Sequence, residues 1–295
     1  MNFLEIKKIS KSFENHQALK EVSLSIKKNS IYGLLGHNGA GKTTLIRILT
    51  RILQADSGEI LFNGEPLTSS HVRQIGYLPE ERGLYKKMKV TEHLLYLAQL
   101  KDIPKKMALE TISEYLTKFQ LEKNAKSEIG ALSKGMQQKI QFIATVVNSP
   151  EFIILDEPFS GFDPHNVELI KQQILELKAK GATILYSTHR MESVDELCDD
   201  LAILNRSEKV LEGSIDQLKA QHNESIFTVK HKGKLQASPQ FELIDSIENS
   251  GITSSTIRLI NSPNMFLNSA LQNIELLSFE PKKITVEDLF FKYVN

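Results

Sequence analysis

The 295-residue sequence predicts an α/β protein with a parallel β-sheet, followed by a small α+β module. Short apolar runs, such as the one at the centre of residues 151–158, alternate with longer segments in which apolar residues recur every three or four positions. Runs of this length are typical of strands buried on both faces, and the periodic segments are typical of amphipathic helices. Because such helices cover both sides of the strands, we expect a parallel sheet in the larger part of the chain.

The composition excludes several other classes of protein. Hydrophobic residues make up 41% and charged residues 24%, the balance of an ordinary globular protein. The 36 Lys and Arg residues equal the 36 Asp and Glu residues, so no net charge favours nucleic acid or an anionic membrane. No apolar run approaches the roughly 18–20 residues of a membrane-spanning helix, and the N-terminus lacks a signal-peptide core. The single cysteine, Cys198, lies in an apolar-periodic stretch and fits a reducing compartment, so we expect a cytoplasmic location.

The first elements are two strands and a strand–loop–helix unit. Residues 3–10 and 22–28 alternate in polarity as strands do, with a polar turn over residues 14–17 between them. The apolar run 31–36 then predicts a buried strand, and a glycine-rich loop leads to a helix over 43–50.

The middle of the chain is predicted to be helical from about Thr91 to Val147, and Asn148-Ser149-Pro150 ends this region. Three further elements follow: a strand over 151–158, a helix over 167–181 and a strand over 182–189. Gly181 closes the helix. These elements continue the parallel sheet.

After Gly213 the pattern changes to half-exposed strands and short helices. The predicted strands are 225–232, 255–260 and 274–280, and the predicted helices are 264–273 and 286–294. We therefore expect two domains, 1–213 and 214–295, the second a small α+β accessory module. Binding an effector, stabilising a dimer and simple packing all remain open as its role.

The strongest chemical signal is a G-x-x-x-x-G-K-[ST] motif that follows a predicted strand and opens a predicted helix. The motif consists of Gly36, His37, Asn38, Gly39, Ala40, Gly41, Lys42 and Thr43, and Thr44 follows it. Its glycines let successive N–H groups surround phosphate oxygens, and the helix N-terminus adds a partial positive charge. Lys42 can reach the β- and γ-phosphates, and the Thr43 hydroxyl can bind Mg²⁺. A glycine-rich turn without a ligand is the alternative, and the many fixed positions argue against it.

Two carboxylates and an imidazole follow the next buried strands. Asp156, at a strand end, can hold Mg²⁺ through water, and Glu157 can orient or deprotonate an attacking water. Simple solvation of a loop is the alternative for these acids. His189 ends the strand after them and, in a parallel sheet, lies at the same edge, where it can contact the γ-phosphate or hold the water. No N-K-x-D guanine reader is present, which disfavours a small GTPase.

A second anion site is predicted at Ser133, which has the position of an N-cap for the helix that follows it. Its hydroxyl and the free N–H groups of the first turn can hold phosphate. Two phosphate-binding helix ends in one chain suggest that two copies meet face to face around shared nucleotides.

Five segments, GHNGAGKTT, LSKGMQQK, IILDEP, SGFDP and STH, occur in this order. Together they resemble the ATP-binding subunit of an ATP-binding-cassette (ABC) transporter, over about residues 1–213. The resemblance implies a P-loop NTPase fold with a RecA-like parallel core, an N-terminal antiparallel β subdomain and a helical subdomain at about 85–147. It also implies ATP and Mg²⁺ as cofactors, an ATP-sandwich homodimer, and a membrane permease that holds the protein at the inner face of the membrane.

The resemblance also assigns roles to individual residues. Phe13 matches the aromatic residue that stacks on adenine, although a core phenylalanine is the alternative. Glu157 and His189 match the catalytic carboxylate and the switch histidine. Asp163 belongs to a loop, 160–163, that contacts the opposite phosphate loop across the dimer. Ser133 and Gly135 match the signature residues that bind the γ-phosphate of the partner's nucleotide.

Two departures from the family pattern stand out. Glu80 replaces the usual glutamine that senses Mg²⁺, and its carboxylate can still reach the metal. Lys134 and Met136 occupy signature positions where glycine and glutamine are commonest; Lys134 either attracts the γ-phosphate or lies in solvent. These variants and the C-terminal module resemble a prokaryotic subgroup of export-type ATPases with separate membrane subunits, linked to sodium, drug or antibiotic extrusion.

Two other functions are alternatives to transport. A soluble cassette ATPase that acts on ribosomes or DNA usually has two cassettes or a long coiled-coil insertion, and this chain has one cassette and no such insertion. A regulatory module that binds ATP without hydrolysis is disfavoured by Glu157 and His189. Transport substrate and direction depend on contacts in the membrane subunit.

Overall fold

The computed structural model describes residues 2–14, 16–81, 83–222, 225–236, 238–270 and 273–294. Its contacts divide the chain into two compact units. The first combines Met1–Ile215 with Phe290–Asn295, and the second is Asp216–Leu289. The predicted domains are 1–213 and 214–295, so the prediction places residues 290–295 with the second unit instead of the first.

The first unit contains two sheets and most of the helices. Its strands are β1 (Asn2–Phe13), β2 (His16–Lys27), β3 (Ile31–Leu35), β4 (Ser57–Phe62), β5 (Glu65–Pro66), β6 (Ile75–Leu78), β7 (Phe152–Asp156), β8 (Thr183–Ser187), β9 (Asp200–Asn205) and β10 (Glu208–Ser214). Its helices are α1 (Lys42–Leu49), α2 (Val90–Gln99), α3 (Lys105–Lys118), α4 (Lys134–Val146), α5 (Pro164–Ala179) and α6 (Met191–Leu197). Short 3₁₀ turns cover Ser69–Gln74, Glu122–Asn124 and Ile129–Ala131.

The larger sheet has the strand order β10-β9-β3-β8-β7-β6. Its strands are parallel except β10, which pairs antiparallel with β9. Every residue of β3, β7 and β8 is buried, as the apolar runs predict. Because β3, β7 and β8 are parallel, their carboxyl ends meet at one edge, where a ligand binds in sheets of this kind.

The smaller sheet is antiparallel, with the order β2-β1-β4-β5. β1 and β2 form the predicted hairpin, in which Phe13 pairs with His16; residue 15 of the predicted turn lies outside the described residues. The inward residues of β1, such as Phe3 and Ile6, join a core with residues of the parallel sheet, including Phe152. This core packs the β1–β2 hairpin against the larger sheet.

The predicted helical region consists of α2, α3 and α4, and α2 packs against both of the others. The Ser133 hydroxyl accepts a hydrogen bond from Met136 N at 3.3 Å, so Ser133 is the N-cap of α4, as predicted. The buried face of α4 includes Ile140 and Ile143, at the spacing of an amphipathic helix.

The last residues of the chain belong to the first unit. The ring of Phe290 lies edge-on to the ring of His37, with 5.0 Å between centroids, and Phe290 is 1% exposed. Asn205 Nδ2 donates a hydrogen bond to the carbonyl oxygen of Val294 at 3.4 Å. The end of the chain therefore packs on the loop that follows β3.

The second unit is a four-stranded antiparallel sheet with short helices, which agrees with the predicted α+β class. Its strands are β11 (Ile226–Lys232), β12 (Phe241–Asn249), β13 (Ile252–Leu259) and β14 (Glu275–Pro281), in the order β12-β13-β11-β14. Helices α7 (Ile215–Gln221) and α9 (Val286–Val294) run across the two boundaries of this unit, and α8 (Pro263–Ala270) lies within it. Residues 271 and 272 of the predicted helix lie outside the described residues. Val229, Ile257 and Phe266 form the centre of its core.

Candidate active site

The phosphate-binding loop connects the carboxyl end of β3 to the first turn of α1. Gly39 and Gly41 have φ angles of +82° and +108°, in the left-handed region that favours glycine. A Cβ atom on Gly41 would lie 2.5 Å from the carbonyl oxygen of Ala18, so no side chain fits there. The carbonyl oxygen of Gly41 accepts a hydrogen bond from Leu45 N at 2.9 Å and starts the helix. The loop therefore ends at a helix N-terminus, which suits an anion.

The Lys42 side chain lies inside this loop and is only 8% exposed. Its Nζ donates hydrogen bonds to the carbonyl oxygens of Gly36 at 2.6 Å and His37 at 3.3 Å. Burial lowers the pKa of Lys42, and nearby carboxylates counteract this shift. These carboxylates belong to Glu157, Asp156 and Glu80. A lysine held this way can exchange carbonyl partners for phosphate oxygens with little movement.

Two adjacent acids follow β7. Asp156 is 3% exposed, and burial raises its pKa, with further contributions from the charges of Glu157 and Glu80. Glu157 has a φ angle of +51°, a strained conformation for a residue with a side chain. Its backbone N donates to the carbonyl oxygen of Ser187 at 2.9 Å. An acid held in a strained turn at the sheet edge is typical of a functional position.

Glu157 and His189, the two predicted catalytic residues, are in direct contact. Glu157 Oε1 lies 2.6 Å from His189 Nδ1 and accepts a hydrogen bond from His189 N at 2.8 Å. Glu157 Oε2 accepts a hydrogen bond from Thr188 Oγ1 at 3.0 Å. The side chain of Glu157 is 9% exposed and that of His189 is 63% exposed. The carboxylate is therefore oriented by three donors, while the imidazole stays accessible to a ligand.

A cavity of about 410 Å³ joins these groups. It is lined by Phe13, His16, Ala18, His37, Asn38, Gly39, Gly41, Lys42, Thr43, Thr44, Glu80, Asp156, Glu157 and His189. Of the predicted loop residues, Gly36 and Ala40 are buried and do not line it. Phe13 is 42% exposed, so the alternative of a core phenylalanine is wrong. His16 and Ala18 were missed by the sequence analysis, because their place at the cavity depends on the pairing of β2 with β1.

Ser133, Gly135 and Asp163 do not line this cavity. Ser133 and Asp163 are both exposed N-caps, and Asp163 Oδ1 accepts a hydrogen bond from Asn166 N at 2.9 Å. This backbone N–H bond holds the pKa of Asp163 below its usual value. A Cβ atom on Gly135 would have no neighbour within 4 Å. Nothing among the described residues of this chain therefore explains a glycine at position 135.

The oxygen atoms at the cavity fit Mg²⁺ bound together with a nucleotide. The Thr43 hydroxyl and the carboxylates of Asp156 and Glu80 are hard oxygen ligands at one cavity. Among the described residues, no group of three or more His, Cys, Asp or Glu side chains is placed to hold a metal alone. Mg²⁺ usually takes only one or two protein carboxylates, with phosphates and water completing its shell.

Comparison with known proteins identifies the family and the fold. The family described as "ABC transporter" matches residues 19–160. The chain is 44% identical over 226 residues to the uncharacterized ABC transporter ATP-binding protein YhaQ of Bacillus subtilis. This alignment covers 77% of this chain and 76% of that protein. The chain belongs to the ABC transporter ATP-binding proteins. As an ABC ATP-binding subunit it has the P-loop NTPase fold, binds ATP and is an ATPase.

Two further matches agree with this assignment. The ABC subunit is 34% identical over 214 residues to the Nod factor export ATP-binding protein I of Burkholderia orbicola, covering 72% and 70% of the two chains. It also matches a solved structure described as the ATP-binding subunit of an ABC transporter, at a TM-score of 0.70 and 31% identity. That match covers 74% of this chain and 92% of the other. ABC ATP-binding subunits work with membrane permease components. No helix among the described residues of this subunit has the length and apolar character needed to cross a membrane.

Proposed function

We propose that this ABC subunit hydrolyses Mg²⁺-bound ATP between two copies of itself and drives a separate export permease. The observation that carries the proposal is the single cavity shared by the phosphate loop, Asp156 and the Glu157–His189 pair. It contains groups suited to bind the phosphates and to activate a water molecule. In the described part of the chain, no feature favours action on ribosomes or DNA.

The chemistry follows from the residues at the cavity. The loop N–H groups and Lys42 bind the β- and γ-phosphates, and Thr43, Asp156 and Glu80 would hold the Mg²⁺ ion. When bound, the ion neutralises charge that develops on the phosphate oxygens. Glu157 orients the attacking water and accepts its proton as the new oxygen–phosphorus bond forms and the bond to the β-phosphate oxygen breaks. His189 Nδ1 contacts Glu157 Oε1, so the imidazole fixes the carboxylate and would contact the γ-phosphate of bound ATP.

The position of the Ser133 turn outside the cavity supports a dimer. The Ser133 turn lies outside the cavity and is exposed, although it presents a helix N-terminus and a hydroxyl. Gly135 in its first turn carries the helix-weakening cost of glycine, although none of the described residues would lie within 4 Å of a Cβ atom there. A nucleotide bound to the partner copy would approach this turn closely and explain the glycine. Asp163, at the exposed start of α5, would face the opposite phosphate loop.

The same geometry suggests how the adenine and the permease are bound. Phe13 is exposed at the cavity and available to stack on adenine. A second cavity, also of about 410 Å³ and mostly apolar, borders the Glu80 loop and the helical region. Exposed apolar side chains beside it, Ile52 and Leu100, would bind a cytoplasmic segment of the permease and hold the subunit at the inner face of the membrane. The relative named for Nod factor export supports an export role.

The domain assignment is part of this proposal. Residues 1–213 would form the ATP-binding domain, with the helical subdomain at about 85–147, and residues 214–295 the accessory module. Contacts assign Phe290–Asn295 to the first unit, so the end of the accessory segment would reach the ATPase itself.

Replacing Glu157 by Gln tests the dimer and the catalytic role together. The variant should bind ATP, lose hydrolysis and accumulate as a dimer in saturating ATP and Mg²⁺, measured by light scattering after size exclusion. A variant that remains monomeric contradicts the sandwich. Co-purification of the full-length protein with an integral membrane protein tests the transport role, and co-purification with ribosomes instead would contradict it.

A further inference from the structure

One face of α4 is hydrogen bonded to the segment that leads into Glu80. The donors are Gln141 and Thr145, which lie on one face of α4 because they are four residues apart, and Asn148, which lies just past the end of the helix. Gln141 Nε2 donates to the carbonyl oxygens of Pro79 at 3.1 Å and Glu81 at 3.3 Å, and Asn148 Nδ2 donates to Arg73 O at 3.2 Å. The Thr145 hydroxyl is shared between Gln141 O at 3.0 Å and, more weakly, Tyr77 O at 3.4 Å. We call these contacts the α4 ladder.

Gln141 is the most specific member of the α4 ladder. It is 7% exposed, and a buried primary amide is unfavourable unless it is hydrogen bonded. Its amide group has two N–H donors, and its acceptors are the carbonyl oxygens on either side of Glu80. The amide therefore holds the backbone before and after Glu80 at the same time.

Glu80 itself has little else to fix it. Its side chain is exposed and lines the nucleotide cavity, and none of the described residues forms an ion pair with it. Its charge acts on Lys42 and on Asp156, whose pKa values it raises. The position of its carboxylate thus depends on the backbone of the loop, which Gln141 holds.

We propose that Gln141 is a positioning residue that presents Glu80 to the Mg²⁺ ion of bound nucleotide. The inference rests on the proposed role of Glu80 as a metal ligand. It also connects two sites, because α4 begins at the Ser133 turn, eight residues before Gln141, a distance of roughly 12 Å along the helix. One helix then contacts the partner's nucleotide at its start and controls the metal ligand of its own nucleotide further along.

The test measures metal affinity directly. Gln141→Met keeps the volume of the side chain and removes both donors, and Asn148→Leu is the matched control at the far end of the α4 ladder. Mn²⁺ binding to the full-length protein with saturating ADP, followed by electron paramagnetic resonance, reports the site without turnover. We expect Gln141→Met to weaken Mn²⁺ binding about tenfold, as the loss of outer-shell support typically does. Asn148→Leu should change it less than about twofold. Equal effects of the two variants, or no effect of Gln141→Met, would overturn the inference.

Glu80→Gln separates this inference from the proposed function. In the Glu80→Gln background, Gln141→Met should have almost no further effect, because coupled residues are non-additive. Additive effects mean that Gln141 does not act through Glu80 and overturn the inference. If Glu80→Gln weakens Mn²⁺ binding but Gln141→Met does not, only the inference is wrong. If Glu80→Gln has no effect, the metal role of Glu80 fails as well. Gln141→Asn keeps an amide with shorter reach; it should give a smaller loss and replaces the Met variant if that variant does not fold.

Discussion

Gly135→Ala should make the isolated protein more stable while it prevents ATP-dependent dimerisation. Gly135 lies in the first turn of α4, its φ is not positive, and an added Cβ would meet no atom within 4 Å. Alanine removes the backbone entropy cost of glycine in a helix, which amounts to roughly 0.5–1 kcal/mol. For a protein of this size, that gain corresponds to a rise in Tm of about 1–3 °C.

The second half of the prediction concerns the dimer. If the phosphates of a nucleotide on the partner copy approach the Ser133 turn, the new methyl group occupies the space that they need. In the Glu157→Gln background, which retains ATP, Gly135→Ala should therefore remain monomeric in saturating ATP and Mg²⁺. Thermal unfolding without nucleotide and light scattering with nucleotide measure the two effects separately.

A nearby glycine provides the control. A Cβ atom on Gly130 would lie 3.0 Å from the carbonyl oxygen of Lys86, so Gly130→Ala should lower the Tm instead of raising it. The reasoning is refuted if Gly135→Ala is less stable than the wild type, because the site is then constrained within the chain. It is equally refuted if Gly135→Ala dimerises normally, because no partner group then approaches this turn.

Three further substitutions test other parts of the site. Gly41→Ala combines a φ angle of +108° with a contact of 2.5 Å to Ala18 O, so it should lower the free energy of unfolding by about 2–5 kcal/mol and abolish ATP binding, as measured by denaturant unfolding and calorimetry. Phe13→Ala should raise the Kd for ATP about tenfold through lost stacking on adenine, whereas Phe13→Tyr should bind normally; equal affinity of all three proteins would contradict the stacking role. Asp156→Asn should raise the Tm of the nucleotide-free protein at pH 7, because the folded-state pKa of Asp156 is raised and its ionised form therefore destabilises the fold. This advantage should shrink as the pH falls and should vanish below the ordinary pKa of 3.8, where the wild-type carboxyl is protonated in both states; a pH-independent difference would contradict it.

Much of the parallel sheet could be predicted because its strands are buried on both faces. Runs such as residues 152–155 are apolar throughout, and this pattern does not depend on neighbouring segments. β12 was missed because its residues after Phe241 are exposed on both faces, so no alternation marks it. β6 was missed because it has only four residues and owes its position to pairing with β7.

At the site, too, local motifs could be predicted and contacts between distant residues could not. The phosphate loop, Asp156 and Glu157 were found because each motif is local, and a parallel sheet brings strand ends to one edge. Gln141 was not found because its partners are 62 and 60 residues away in sequence and are backbone carbonyls, which carry no residue identity. Its only sequence signal is a polar residue between Ile140 and Phe142 in a buried turn of the helix.

The contact between Phe290 and His37 bears on how the accessory module can be removed. Truncation after residue 215 would delete Phe290 as well, leaving the phosphate-loop residue His37 without its ring partner and Asn205 without its bond to Val294. A loss of ATP binding in such a truncated protein would reflect damage to the ATPase, and it would say nothing about regulation. An internal deletion of 216–289, closed by a flexible peptide long enough to rejoin the ends, leaves both contacts in place and isolates what the module contributes.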